Sequence, residues 1–191
     1  GASGTYNDGV NPTAPVSSDS DGNPAIEDSV TTHLAASLSI TSIVDLTAGA
    51  PYVGDGTSFN IRVNYQNTGG VDVTGVDASI NFNGYGFLLA NNPAGVNVLA
   101  SSTASQDFTI TLQPGATSLN VEIDADVVGA VEQYSGRSIS TSSGANDLNV
   151  QVYAQATLAI TSIVDLTGSA PYVGGETFSI RVSYQNTGGV D

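Results

Sequence analysis

Residues 40–72 read ITSIVDLTAGAPYVGDGTSFNIRVNYQNTGGVD, and residues 160–191 return as ITSIVDLTGSAPYVGGETFSIRVSYQNTGGVD. With one gap, 26 of the 32 aligned positions are identical. The copies start 120 residues apart, which is the size of a whole domain and not of a solenoid repeat. The sequence therefore predicts a tandem repeat of about 120 residues with a truncated second copy. Because residue 191 falls inside that copy, we expect the sequence to be a window on a longer chain.

The clearest strand pattern of the chain is Thr57–Asn67, near the end of the first copy. Apolar residues occupy every second position of this segment: Phe59, Ile61, Val63 and Tyr65. A period of two predicts a β-strand with one buried face and one wet face. The second copy keeps the same four residues as Phe178, Ile180, Val182 and Tyr184.

About seven short strand patterns follow one another at regular spacing, with turn residues between them and no helical periodicity. This profile is typical of an all-β, Ig-like antiparallel β-sandwich with Greek-key connections. The absence of Cys and Trp excludes the antibody-type core signature. We predict a linker or extended segment over residues 1–29, one sandwich over residues 30–156, and the first strands of a second sandwich over residues 157–191.

The order of motifs in the duplicated block is a strand of the type ITSIVDL, a Pro-Tyr-Val-Gly turn, and a strand that ends in Asn-Thr-Gly. This order resembles the cell-adhesion-related Ig-like repeats (CARDB and its relatives) of bacterial and archaeal surface proteins. Residues 65–69 and 184–188, both Tyr-Gln-Asn-Thr-Gly, carry the likeness, which extends over residues 34–156 and the partial copy. The resemblance implies an extracellular sandwich in a tandem array, and it implies no catalytic residue.

The charge balance of the chain excludes several classes of partner. Its formal net charge is −15, and its only basic residues are Arg62, Arg137 and Arg181. Such a chain should repel nucleic acid and anionic membranes. No apolar run approaches the length of a membrane span. With no Cys and with His33 as the single histidine, we expect neither a zinc site nor a Cys–His or Ser–His nucleophile, and we predict that the protein is not an enzyme.

The acidic composition points to one cofactor, calcium, and the sequence offers two places where it could bind. Asp19, Asp21 and Asn23 alternate in a turn, and oxygen ligands at such spacing recur in calcium loops. Glu122, Asp124 and Asp126 fall on one face of a predicted strand, where a cation would relieve their mutual repulsion. The competing interpretations are a flexible acidic linker and a solvated acidic strand face.

An aromatic loop provides an alternative function. Tyr85 and Phe87 lie among glycines in residues 83–92. Exposed aromatic rings on a loop could stack on surface glycans or dock a partner. The competing interpretation is that Phe87 and its neighbours cover one end of the core.

Repetition itself favours a structural function, because copies placed end to end multiply reach or valency. We predict a non-catalytic, adhesive or structural repeat unit of an extracellular fibre, sheath or surface stalk, whose partners are neighbouring repeats or subunits. Two partial strands would leave apolar side chains and backbone edges uncovered. Either the following part of the chain or another molecule would then complete them. The alternative is a carbohydrate-binding or partner-binding module of a secreted multidomain protein.

Overall fold

The computed structural model describes residues 16–18, 28–30, 32–168 and 171–191. These residues form fifteen strands and one short 3-10 helix, Gly144–Asn146. The strands are β1 (Val16–Ser18), β2 (Asp28–Val30), β3 (Leu38–Asp45), β4 (Tyr52–Val53), β5 (Ser58–Asn67), β6 (Val73–Val76), β7 (Ala78–Asn81), β8 (Leu88–Ala90), β9 (Val96–Val98), β10 (Ser102–Leu112), β11 (Leu119–Glu132), β12 (Ser138–Ser142), β13 (Leu148–Tyr153), β14 (Leu158–Asp165) and β15 (Ile180–Asn186).

Two sheets make up the sandwich. One sheet has the strand order β3-β5-β10-β8, and the other has the order β4-β13-β11-β6-β9, with β7 and β12 also paired to β11. The strand pairs are antiparallel except for β4, which runs parallel to β13. This order matches the ABED and GFC sheets of the immunoglobulin fold, with β4 added beside the last strand. The predicted all-β, Ig-like Greek-key sandwich is therefore confirmed.

Strand β5 lies at the centre of the first sheet, between β3 and β10. Its four alternating apolar residues are fully buried, and they face a single core that both sheets share. Burying one side chain of this size is worth about 1.5–3 kcal/mol, so the alternation read from the sequence fixes which face of β5 turns inward. The pairing of β3 with β5 contains a register shift between Ile40 and Ser42.

One buried polar cluster links the two sheets through the core. The Tyr65 hydroxyl donates to Gln106 Oε1 at 2.9 Å, and the same oxygen accepts the backbone N–H of Ala78 at 3.0 Å. Gln106 Nε2 donates to Asp77 Oδ1 at 2.7 Å. Burial raises the pKa of Tyr65, so the hydroxyl keeps its proton as a donor. Because every member is satisfied, the cluster holds β5, β10 and β7 in one arrangement.

The end of β5 is tied back to the chain that precedes β3. Asn67 Oδ1 accepts the backbone N–H groups of Ser37 at 3.1 Å and Gly69 at 3.0 Å, and its Nδ2 donates to the Val71 carbonyl at 2.8 Å. Gly69 packs so closely on residues 35–37 that a β-carbon there would clash with the carbonyl oxygen of Ala35. The Asn-Thr-Gly turn is thus a close backbone contact that requires glycine.

A second polar cluster attaches the segment before β3 to the end of β11. Glu132 Oε1 accepts the backbone N–H of Ala36 at 2.5 Å. The Arg137 guanidinium donates to both oxygens of Glu132, at 3.0 and 3.1 Å, and to the Ala36 carbonyl at 3.0 Å. The hydrogen bond and charge of Arg137, together with the Ser135 hydroxyl and the Ala36 N–H, lower the pKa of Glu132 to about 2 against the cost of burial.

Several boundaries differ from the sequence prediction. Strand β10 begins at Ser102, six residues before its apolar alternation becomes regular at Phe108, because ten of its eleven residues pair with β5. Residues 83–95, which show no regular alternation, contain the short strand β8. Residues 138–142 form β12, which pairs with β11. Within the predicted linker, β1 pairs with β2.

Replacing Gly69 by alanine tests the close contact at the turn. We expect Gly69→Ala to lower the free energy of unfolding by more than about 2 kcal/mol, because the added methyl must displace backbone atoms. Gly86→Ala is the matched control, since nothing lies within 4 Å of its β-carbon position and the change there should stay below about 1 kcal/mol. Urea denaturation measures both, and equal effects of the two substitutions would contradict the assignment.

The Glu132 cluster makes stability depend on acid pH. Since the pKa of Glu132 falls from 4.5 to about 2 on folding, its contribution is complete above pH 4.5 and is lost as the pH falls towards 2. We expect Glu132→Gln to be less stable than the natural chain by about 2–3 kcal/mol at neutral pH. The gap should close between pH 4.5 and 2 in melts recorded across that range. A difference in stability between the two chains that stays constant with pH would show that the ionised carboxylate of Glu132 is not what stabilises the contact with Ala36.

Candidate functional site

The second copy of the duplicated block forms a two-stranded sheet from β14 and β15. Its register reproduces that of β3 and β5: Ile160 lies opposite Tyr184 as Ile40 lies opposite Tyr65. The register shift after Ile160 is repeated as well. The described part of the second copy contains these two strands and not a whole sandwich. A repeat of the full domain therefore stays a prediction.

Local hydrogen bonds are also the same in both copies. Asp45 accepts from the Tyr52 hydroxyl at 2.7 Å and from the Thr47 N–H at 2.9 Å. Asp165 accepts from the equivalent Tyr172 hydroxyl and Thr167 N–H. Asn186 holds its turn as Asn67 does, with Oδ1 accepting the N–H groups of Thr157 and Gly188. The turns therefore form without the rest of the sandwich.

The two copies differ sharply in how far their apolar side chains are covered. Phe178, Ile180 and Tyr184 are 56%, 53% and 61% exposed, whereas their equivalents Phe59, Ile61 and Tyr65 are 1%, 0% and 0% exposed. We call the uncovered surface the acceptor face and define it by the residues whose first-copy equivalents are all buried core: Ile160, Ile163, Phe178, Ile180, Val182 and Tyr184. Four of these six were predicted as assembly residues, and the structure brings them together on one face.

Strand β15 also has an uncovered edge. Ten consecutive residues of β5 pair with β10. At one end of this pairing Asn67 lies opposite Ser102, and at the other end Ser58 lies opposite Thr111. Within the described residues, β15 pairs with β14 only, and the strand is three residues shorter than β5 at its start. The backbone N–H and C=O groups along such an edge can pair with another strand.

An arginine marks the outer side of this edge. In the first copy, Arg62 binds Asp107 through two parallel hydrogen bonds of 2.7 and 2.8 Å, and the guanidinium lowers the pKa of that carboxyl. The equivalent residue in β15 is Arg181, which is exposed and forms no ion pair with any residue that the structure describes.

The joint between the first unit and the second copy is short and closely packed. Residues 154–157 connect β13 directly to β14. The N–H of Gly189 donates to the Ala154 carbonyl at 3.2 Å, and the Ala154 N–H donates to Ser118 Oγ at 2.9 Å. A β-carbon at Gly189 would clash with Ser118, and one at Gly188 would clash with the Gln155 carbonyl. Ser118 of the complete unit therefore contacts the second copy directly, through the hydrogen bond from Ala154 and beside Gly189.

The calcium predictions have different outcomes. Asp19, Asp21 and Asn23 lie outside the described residues. Glu122, Asp124 and Asp126 do share the outward face of β11. However, the part of the chain that the structure describes contains no group of three or more His, Asp or Glu side chains placed to hold one metal ion. The calcium site predicted on β11 therefore gains no support from the geometry.

Two of the β11 carboxylates are instead used by neighbouring segments. Glu122 accepts from Asn83 Nδ2 at 3.1 Å. Asp124 accepts from the hydroxyl of Ser143, which also contacts Asp147. These contacts attach the segments before and after β11 to its outer face.

The aromatic loop lies at one side of the sandwich. Phe87 is half-buried and packs on the core, while Tyr85 is 36% exposed, and their ring centroids are 5.7 Å apart. An open groove of about 500 Å³ runs beside Tyr85 and reaches Asn81 and Asp126. Phe87 thus follows the core-covering interpretation. Binding of glycans at Tyr85 stays a prediction.

Three polar residues that organise the sandwich were not predicted from the sequence: Gln106, Glu132 and Arg137. Each acts on a segment distant in the chain, so no local pattern marks it. The only signal available was the scarcity of basic residues, which makes a buried carboxylate partner for Arg137 a reasonable expectation.

No protein-family model and no curated protein sequence matches this chain. The resemblance to cell-adhesion-related repeats therefore stays a prediction. Among the described residues, no helix is long and apolar enough to cross a membrane.

The glycine contacts at the joint lead to a test by hydrogen exchange. We expect Gly188→Ala to speed exchange at the amides of Thr187 and Gly189, because the added methyl pushes the turn away from residues 155–157. Gly174→Ala, in the same copy but with nothing within 4 Å of its β-carbon position, should leave both rates unchanged. Equal protection in the two variants would mean that the joint is not held by this packing.

Proposed function

We propose that this chain is a structural, non-catalytic repeat unit that is strung in series in an extracellular fibre, sheath or surface stalk, with other units of its kind as its principal partners. The lysine-free, strongly acidic composition supports an exposed extracellular location. The resemblance to cell-adhesion-related repeats points the same way.

The observation that carries the proposal is the contrast between the two copies. Nearly the same strand sequence is fully buried in β5 and about half exposed in β15. An apolar face of this kind costs free energy in water and is rarely left uncovered in a soluble protein. A second sheet, placed as it is over β5, would bury this face, and either the following part of the array or another molecule can supply it.

The joint gives this assembly a direction. A strand of seven to ten residues spans roughly 25–35 Å, so units joined end to end make a rod. The close approach of Gly189 to Ser118, which lies on the complete unit, restricts how far one unit can swing on the next. The short joint and the repeated strand sequence together support units that follow one another in series.

Sedimentation velocity of the 191-residue chain tests the proposal. We expect concentration-dependent association of the natural chain, with elongated particles in negative-stain electron microscopy. The double variant Phe178→Ser and Ile180→Ser should sediment as a monomer, because it removes apolar surface only from the acceptor face. Added salt should strengthen association of the natural chain by screening the repulsion between copies of charge −15.

Val128→Ser combined with Leu99→Ser is the matched control. Both residues are large, apolar and exposed, at 78% and 58%, and both lie on the complete unit away from the acceptor face. These substitutions should leave association unchanged. A natural chain that stays monomeric at every concentration, or a control that abolishes association equally, would contradict the proposed function.

A further inference from the structure

One asparagine of the complete unit is placed for a chemical change of its own. Asn83 is followed by Gly84, and no other asparagine in the chain is followed by glycine. The backbone nitrogen of the residue after an asparagine can reach the side-chain amide carbon, Cγ, and close a five-membered ring. A side chain on that next residue hinders the attack, and glycine has none. The sequence therefore singles out Asn83 for this reaction.

The turn that contains this pair is open on all sides. Asn83 and Gly84 lie between β7 and β8, and both are exposed. Nothing lies within 4 Å of a β-carbon position at Gly84. Among the hydrogen bonds that join described residues, none uses the N–H of Gly84. The attacking nitrogen is thus free of a competing partner, and water can reach the ring that forms.

Neighbouring asparagines lack one or more of these conditions. Asn81 is followed by Phe82, whose side chain hinders the approach of the backbone nitrogen. Asn92 is followed by Pro93, which has no N–H to lose. These two residues lie within ten positions of Asn83 in the same chain, so they serve as internal references for its reactivity.

The neutral amide of Asn83 now holds the aromatic loop against the outer face of β11. Its Nδ2 donates to Glu122 Oε1 at 3.1 Å, and its backbone N–H donates to Asn81 Oδ1 at 2.9 Å. Glu122 shares that face with Asp124 and Asp126. An ionised carboxylate in place of the amide cannot donate a hydrogen bond, and it would meet Glu122 with like charge.

We propose that Asn83 is a site of spontaneous deamidation, and that the aspartate or isoaspartate formed there releases the aromatic loop from Glu122. The Gly84 nitrogen forms a bond to Asn83 Cγ, the Cγ–Nδ2 bond breaks, and Nδ2 leaves as ammonia with the proton from the Gly84 N–H. Water then opens the cyclic imide. Cleavage at Cγ gives aspartate, and cleavage at the main-chain carbonyl carbon gives isoaspartate, so the net change exchanges the amide NH2 for OH.

The change is local, one-way and independent of any enzyme. It adds one negative charge to a chain whose formal net charge is already −15. The far end of the loop stays attached, because the Phe87 carbonyl accepts the N–H of Gln113 at 2.6 Å. Modified chains therefore accumulate with age while the sandwich keeps its fold. Since the change concerns the complete unit alone, it does not depend on serial assembly.

Ageing the full chain at physiological temperature, with peptide mapping by mass spectrometry, tests the chemistry. We expect conversion at Asn83 to be about tenfold faster than at Asn81, with both aspartate and isoaspartate among the products. Asn83→Gln should stay unconverted at this position, because its longer side chain would have to close a six-membered ring. Equal rates at Asn83 and Asn81, or aspartate formed without isoaspartate, would overturn the proposed route.

Hydrogen exchange tests the release of the loop. In Asn83→Asp, which supplies one product directly, we expect the Tyr85 amide to exchange about threefold faster, because its bond to the Phe82 carbonyl lies in the released turn. The aged natural chain should show the same acceleration. Asn97→Asp is the matched control, since it adds the same charge and keeps the oxygen that accepts the Gly75 N–H. Unchanged exchange in Asn83→Asp, or equal acceleration in Asn97→Asp, would overturn the inference.

Discussion

The pairing of β5 with both of its neighbours is the constraint on which this sandwich depends. The strand must have β3 on one edge, β10 on the other, and a second sheet over its apolar face. The chain shows what happens when only the first condition is met. In β15, which has β14 alone among the described residues, the tyrosine equivalent to Tyr65 is 61% exposed and the strand loses three residues. Sequence sets the face and the register, and long-range pairing decides whether that face is buried.

Features encoded locally could be predicted from the sequence, and features encoded at a distance could not. The alternation in β5 and the Asn-Thr-Gly turn at Gly69 each depend on residues close in the chain, and the structure contains both. The Gln106 cluster joins residues 28 to 41 positions apart, and the Glu132 contact to Ala36 spans 96 positions. A periodic pattern of apolar residues carries no information about contacts between residues so far apart in the chain. The acceptor face was predictable for the same local reason as β5, because alternation places Phe178 and the three apolar residues of β15 on one side.

The calcium prediction on β11 stays a prediction, and alternation addresses only one part of it. Alternation correctly places Glu122, Asp124 and Asp126 on one face. Successive residues on one face of a strand are about 6.6 Å apart along it, whereas ligands of one calcium ion lie about 2.4 Å from the metal. A calcium site on β11 would therefore need carboxylates that converge on the ion and further oxygen ligands from other segments. What β11 gains instead is hydrogen bonding to Asn83 and Ser143, which arrive from other segments.

The three arginines show how so acidic a chain uses its few cations. Arg62 joins β5 to β10 and Arg137 fixes Glu132 at the entry of the sandwich, so both stabilise contacts between segments distant in sequence. An exposed ion pair such as Arg62–Asp107 contributes under about 1 kcal/mol, which is too little to hold the sheet but enough to favour one register over another. Between units of like charge, repulsion is screened beyond about 8 Å at physiological salt. Arg181 keeps in β15 the position that Arg62 has in β5, so the same guanidinium is available to a strand that pairs with β15.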